Sequence, residues 1–205
     1  MDQFFNTSRK IILVKDMSSI LDFNLINNEF NGLTFSPNTY NDISDEKYLF
    51  NRDIFKDTKK AIEIECENFL KNGHGCFDFE NLTITNSWGN ITQPKDAHHE
   101  HTHPFSVVSG VIYLDDNPEN LNLKLDMYVA EIPHFIPKMT PQVALKDLIG
   151  TENNLHQHMV LFLSNTGHSV NQTDSKSMPR RSIAFNTFWK GITGVKGADL
   201  GNHVF

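Results

Sequence analysis

Four of the chain's ten histidines, His98, His99, His101 and His103, stand almost side by side, with Glu100 among them. A histidine-rich segment running into an apolar strand points to metal binding. In an extended strand, residues i and i+2 project from the same face, so His101 and His103 can address one ion. A third ligand from another strand would complete a facial set that leaves coordination positions open. His168 suits that role, because it follows the apolar run Met159–Leu163 in a turn marked by Gly167. Other readings stand beside this one. His98 and Glu100 form a competing pair that would supply a carboxylate, although they lie farther from the strand. His156 and His158 head a strand and read as surface or pocket rim. A polar cluster before a strand can also be no more than a solvated loop. His74, His134 and His203 have no companions and read as solvent-exposed.

These residues need elements to hold them. Ile62, Cys66, Phe69 and Leu70 recur at helical spacing, which predicts a helix over 57–72 that stops at Gly73. Residues 17–56 are rich in Asn, Asp and Ser and read as short helices and loops. From residue 77 the period moves toward two: Phe77, Phe79, Leu82 and Ile84 lead into Ser87-Trp88-Gly89-Asn90. Val107–Leu114 is an apolar run closed by the turn signal Asp115-Asp116-Asn117-Pro118. Leu121, Leu123, Leu125, Met127 and Val129 alternate with polar residues, predicting a strand with one wet face. Met159–Leu163 and Ser182–Phe188 are further strands, and Trp88 reads as a core residue. Strands separated by turns after a helical flank predict a β-sandwich or barrel with added helices. Residues 130–145 read as a long excursion bordering an active site. The expected organisation is one domain over 1–205, with a mostly helical and loop flank at 1–76 and a β core at 77–194.

The bulk properties narrow the function classes. At 205 residues and 39% hydrophobic, the chain can bury a substantial core. A formal net charge of -7 works against an extended nucleic-acid footprint. Ile11-Ile12-Leu13-Val14 is far too short to span a bilayer or to serve as a signal peptide. Cys66 and Cys76 are too few for a disulfide framework or a zinc–thiolate site. A cytoplasmic protein is expected, with no membrane partner.

Four segments in order carry a family resemblance. His101-Thr102-His103 through Ser109-Gly110-Val111-Ile112-Tyr113-Leu114 resembles the H-x-H…S-G-V-x-Y-L signature of a group of 2-oxoglutarate/Fe(II)-dependent oxygenases common in marine bacteria and their phages. Thr85–Asn90 is similar to that family's Ser-Trp-x-Asn strand. Leu161-Phe162 through His168-Ser169-Val170 and Asn171 is similar to its distal strand and His-x-Val segment. Arg180-Arg181-Ser182-Ile183-Ala184-Phe185-Asn186 resembles its R-x-S-I-A-F-N strand. The resemblance covers about residues 56–194. One departure is Leu163, which stands where the family usually has proline.

The resemblance implies a mainly β fold with N-terminal helices, a double-stranded β-helix of the jelly-roll or cupin type. It implies Fe(II) as cofactor, 2-oxoglutarate as cosubstrate and O₂ as reactant. His101, His103 and His168 would be the iron ligands, with His103 where the wider superfamily has Asp or Glu. Arg180 would clamp the distal carboxylate of 2-oxoglutarate with Ser182 as partner, since residues 180 and 182 share a strand face and guanidinium binds carboxylate bidentately. Arg181 would point to the other face. Tyr113 and Asn90 would be further cosubstrate contacts. The implied reaction is hydroxylation of a small molecule or peptide with release of succinate and CO₂. Such sheets often pair, so a homodimer is an expectation. Two alternatives share parts of this pattern: a cupin-type three-histidine dioxygenase, isomerase or lyase without 2-oxoglutarate, and a non-catalytic jelly-roll binding module.

Overall fold

The structure is a computed structural model that describes residues 3–7, 10–76, 81–126, 142–151, 154–172 and 178–190. In chain order the elements are β1 (Gln3–Thr7), β2 (Lys10–Asp16), α1 (Phe23–Asn31), β3 (Phe35–Pro37), β4 (Asp42–Ser44) and α2 (Lys56–Asn68). Then follow β5 (Leu82–Thr92), β6 (His98–His101), β7 (Val108–Tyr113), β8 (Leu123–Asp126), β9 (Gln142–Ala144) and α3 (Leu145–Ile149). The last are β10 (His158–Leu163), β11 (His168–Val170) and β12 (Arg180–Trp189).

The strands form two antiparallel sheets. The major sheet runs β1-β2-β10-β7-β12-β5-β4-β3, and the minor sheet runs β6-β11-β8-β9. Along the major sheet's strands, successive side chains point alternately into two clusters on its opposite faces. On β12, Ile183 and Phe185 join a large cluster with Phe30, Phe50, Phe55, Ile62 and Phe69, where α1 and α2 cover the outer face of the major sheet. On β10, Val160 and Phe162 face the other way, into a second cluster with Leu123, Leu125 and Tyr113. Two facing sheets with this crossing connectivity make a double-stranded β-helix, the fold class expected above.

The helices form for local reasons. Asp22 caps α1 by accepting from the backbone N–H of Leu25 at 3.0 Å, and Phe23, Ile26 and Phe30 share its buried face. Helix α2 buries Thr58, Ile62 and Cys66, and its stripe continues through Phe69 and Leu70 in a closing wide turn, Phe69–Gly73.

Three expectations are corrected. The flank is not only helix and loop: it contributes β1 to β4 to the major sheet. Ile11–Val14 lies in β2, where Leu13 packs in the first cluster and Ile12 and Val14 in the second. A strand buried on both faces shows no alternation, which hid it. Next, the alternating run from Leu121 begins as a strand only at Leu123. Pro118–Asn122 winds into a 3₁₀ turn because Asn117 accepts from the N–H of Glu119 at 3.0 Å. Finally, His74 is half-buried rather than exposed, set edge-on to Phe69 at 4.9 Å, and burial lowers its pKa. Phe77, Phe79, Met127, Val129, His134, His203 and residues 130–141 and 191–194 lie outside the described residues. Among the described residues, no helix is long and apolar enough to cross a membrane.

Candidate active site

The site is built from facing positions of the two sheets. In the minor sheet, β6 and β11 are direct neighbours with His101 opposite His168. His103 lies just past the end of β6, where its backbone N–H donates to the carbonyl of Ser164 at 2.9 Å. A buried hydroxyl network steadies that loop. Ser109 donates to Asn186 Oδ1 at 2.7 Å, and Ser164 Oγ, 2.7 Å from both Ser106 Oγ and Ser109 Oγ, has one proton to give to either.

The three imidazoles converge. One ligand nitrogen from each of His101, His103 and His168 lies within 4.8 Å of the others. The Nδ1–H of His168 donates to the Thr166 carbonyl at 3.0 Å, and that of His101 to the His99 carbonyl at 2.9 Å. These bonds fix the tautomers and leave Nε2 as the free lone pair on both rings. Nε2 of His103 stands 3.2 Å from Nε2 of His168. Two imidazoles bound at right angles to one metal, each at about 2.1 Å, place their nitrogens about 3.0 Å apart. Burial, reinforced by neighbouring His101, holds the pKa of His103 at about 4 and that of His168 at about 3. Both rings are therefore neutral at ordinary pH, the form that binds metal.

The major sheet supplies the opposite wall. Tyr113 on β7, Ser182 on β12 and Asn90 on β5 are lateral neighbours, and Arg180 sits opposite Thr92 one step along. All of these line one cavity of about 230 Å³ together with the three histidines. Arg180 is buried, and its Nη1 donates to the Glu119 carbonyl at 3.1 Å. Among the described residues, its Nε is buried without a partner. A charged donor left short in a buried wall is costly unless an acceptor arrives to complete it. Burial pushes the Tyr113 phenol well above its usual pKa, so it stays a neutral hydroxyl. Arg181 points to the other face, as the strand period requires. It binds Asp115 through Nε at 3.0 Å and Nη2 at 2.5 Å, and lies 5.7 Å from the Phe30 ring centroid.

Thus all seven residues singled out from the sequence line the same cavity. The competing ligand pair does not assemble. His98 faces the cavity with Nε2 3.2 Å from Thr92 Oγ1, whereas Glu100 is exposed and outside the imidazole group. His158 donates from Nδ1 to the His156 carbonyl at 2.8 Å, and His156 is exposed, so that pair is a surface turn. Trp88 is not core: it lines the cavity, its ring 6.1 Å from that of His103. Its period-two relation to Asn90 was the available signal. Missed altogether were Tyr40 and Asn41, which come from the polar stretch between β3 and β4. Asn41 donates to Asn90 Oδ1 at 2.7 Å, which turns the amide nitrogen of Asn90 away from that bond.

On this double-stranded β-helix, three imidazoles that could hold a metal ion converge across from a buried arginine. The family model described as "Putative 2OG-Fe(II) oxygenase" matches residues 86–186. No curated protein matches the sequence. Among solved structures, SnoN, a non-haem α-ketoglutarate-dependent epimerase from nogalamycin biosynthesis, superposes with a TM-score of 0.61 at 11% identity. That alignment covers 95% of this chain and 89% of that one. HygX from Streptomyces hygroscopicus, with nickel, 2-oxoglutarate and hygromycin B bound, has a TM-score of 0.58 at 11% identity, covering 95% and 91%. A 2OG-Fe(II) oxygenase-family oxidoreductase from Burkholderia pseudomallei has 0.55 at 12%, covering 86% and 83%. At such identities the structures establish the shared fold. Residues 86–186, just under half of the chain, thus resemble a 2OG-Fe(II) oxygenase domain, and the cofactors that this match implies are Fe(II) and 2-oxoglutarate.

Proposed function

We propose that His101, His103 and His168 hold the iron and that Arg180, with Ser182, binds the distal carboxylate of 2-oxoglutarate, with Tyr113 and Asn90 as further polar contacts. The observation that carries this reading is the pairing across one cavity of three converging imidazoles with the partnerless buried Nε of Arg180. The donor set fits a divalent iron with open positions, and the guanidinium fits a carboxylate. Bound iron, with 2-oxoglutarate and O₂, supplies oxidative decarboxylation of the cosubstrate coupled to oxygenation of a substrate C–H bond.

The chain's own residues do the rest. Thr166 and His99 hold two imidazoles in the ligating tautomer. Arg180 and Ser182 fix the cosubstrate's far end, so that its keto acid end faces the histidines. Phe162 and Leu123 close the apolar side of the cavity against water. Hydroxylation of a small molecule or peptide, with release of succinate and CO₂, is the reaction we assign. The enzyme is placed in the cytoplasm, where the free thiols Cys66 and Cys76 stay reduced. Residues 1–205 are taken as one domain.

Arg180→Ala tests the assignment. Metal binding should be kept while 2-oxoglutarate affinity falls by about 100-fold or more, the scale of losing a charge-assisted bidentate pair. Calorimetric titration of metal-loaded wild type and variant measures both. Equal affinity in the two would contradict the clamp.

A further inference from the structure

The exposed lining residues Tyr40 and His99 bring the β3–β4 turn and the edge strand β6 together at one end of the cavity. There the turn leaving β3 contributes Asn38, Tyr40 and Asn41, and β6 contributes His98 and His99. Tyr40 is partly exposed, and its ring lies 4.7 Å from that of His99. His99 in turn lies 5.2 Å from His101, so a line of rings runs from the rim to the imidazole cluster. The rim's polar groups are amides. Asn38 donates to Asn41 Oδ1 at 3.3 Å, and Asn41 donates onward to Asn90.

The charge distribution is as informative as the shape. Among the described residues, the lining holds no carboxylate and no lysine, and its one permanent cation is Arg180. In the function proposed above, Arg180 is occupied by the cosubstrate. His98, beside it, is kept neutral by burial, with its pKa lowered to about 4. A charged group entering this mouth would lose hydration and find no counter-ion among the described lining residues. A volume of about 230 Å³ is also small beside the ~300–1,000 Å³ of a site that encloses a whole ligand. With 2-oxoglutarate seated, only a small reacting end fits inside, and the rest of the substrate must lie in the mouth.

We propose that the primary substrate binds across the mouth between Tyr40 and His99, and that the part it presents there is an uncharged, ring-bearing group. The ring packs on the aromatic rim, and the amides of Asn38 and Asn41 take its polar substituents. Tyr40 is thereby a specificity-determining residue supplied by the N-terminal flank. This inference rests on the oxygenase reading only for what occupies Arg180.

Three probes that share one ring and differ in charge test it: indole-3-acetamide, indole-3-acetate and tryptamine. Each is titrated by saturation-transfer NMR into the nickel-loaded full chain, with and without 2-oxoglutarate. The neutral amide should bind about tenfold or more tighter than either charged probe. Tyr40→Ala should lose about tenfold of that affinity, and Tyr40→Phe should keep most of it. Circular dichroism of the variants controls for folding at this partly exposed position. Tightest binding by the acid or the amine, or equal affinity in Tyr40→Ala, overturns the proposal. Binding of 2-oxoglutarate, followed in the same samples, reports separately on the cosubstrate site: its failure would sink the clamp and leave the probe comparison standing.

Discussion

The imidazole cluster is decided atom by atom. His103 and His168 are neutral because they are buried beside one another and beside His101, and the same burial holds His98 neutral. In the unfolded chain these rings take up a proton near 6.5. Between that value and about 4, the unfolded state binds more protons than the folded one. Stability is therefore intact above about pH 6.5 and is lost as the pH falls toward 4. Thermal melts of metal-free protein should show a Tm lower by about 5 °C or more at pH 5 than at pH 7.5. An unchanged Tm would mean that the rings are not shielded. At this scale the sequence was informative, because His101 and His103, and Arg180 and Ser182, are two residues apart on extended chain, which fixes their shared face. It said less about Trp88, whose large apolar ring suits a core as well as a cavity wall. It was silent on Asn41, which reaches Asn90 across 49 positions of chain.

At the scale of elements, close approach of β7 to its neighbours sets the geometry of the cavity's back wall. A side chain at Gly110 would lie 2.7 Å from Leu161 Cδ2 and closer still to Phe185. Gly89 does the same work on β5, where a Cβ would meet Phe30 at 2.8 Å. Gly110→Ala should destabilise the protein by about 1–3 kcal/mol, the usual cost of overpacking. Urea unfolding reads this as a lower midpoint at unchanged slope, and an unshifted midpoint would show that β7 can move away. Strands β5, β7 and β12 were legible because alternate residues of each line the cavity, whereas β2, buried on both faces, was not. Strands β3 and β4 were not, being three residues each in a polar stretch and held by β5 rather than by their own pattern. Strand β8 was overextended because the alternation ignores the turn that Asn117 and Pro118 impose.

At the scale of the whole molecule, the flank is inseparable from the β-helix. Strand β2 pairs directly with β10, Lys15 binds Glu65 at 2.8 Å, and Glu63 on α2 accepts from the backbone N–H of Ile84 on β5 at 2.9 Å. One aromatic cluster spans both parts. Scanning calorimetry of the metal-free chain should therefore give one cooperative transition, its calorimetric and van't Hoff enthalpies agreeing. Two resolved transitions would separate the flank from the core. The flank also brings Tyr40 and Asn41 to the mouth, so fold and site are joined at this scale too. In the proposed site, three imidazoles bind one iron that works with 2-oxoglutarate. The most direct test of this is anaerobic titration of Fe(II) into the metal-free chain with 2-oxoglutarate present, followed by visible absorption. A charge-transfer band should saturate at one iron per chain, require both additions and be absent in His168→Ala. A band that persists in His168→Ala, or no band in the wild type, would contradict this assignment.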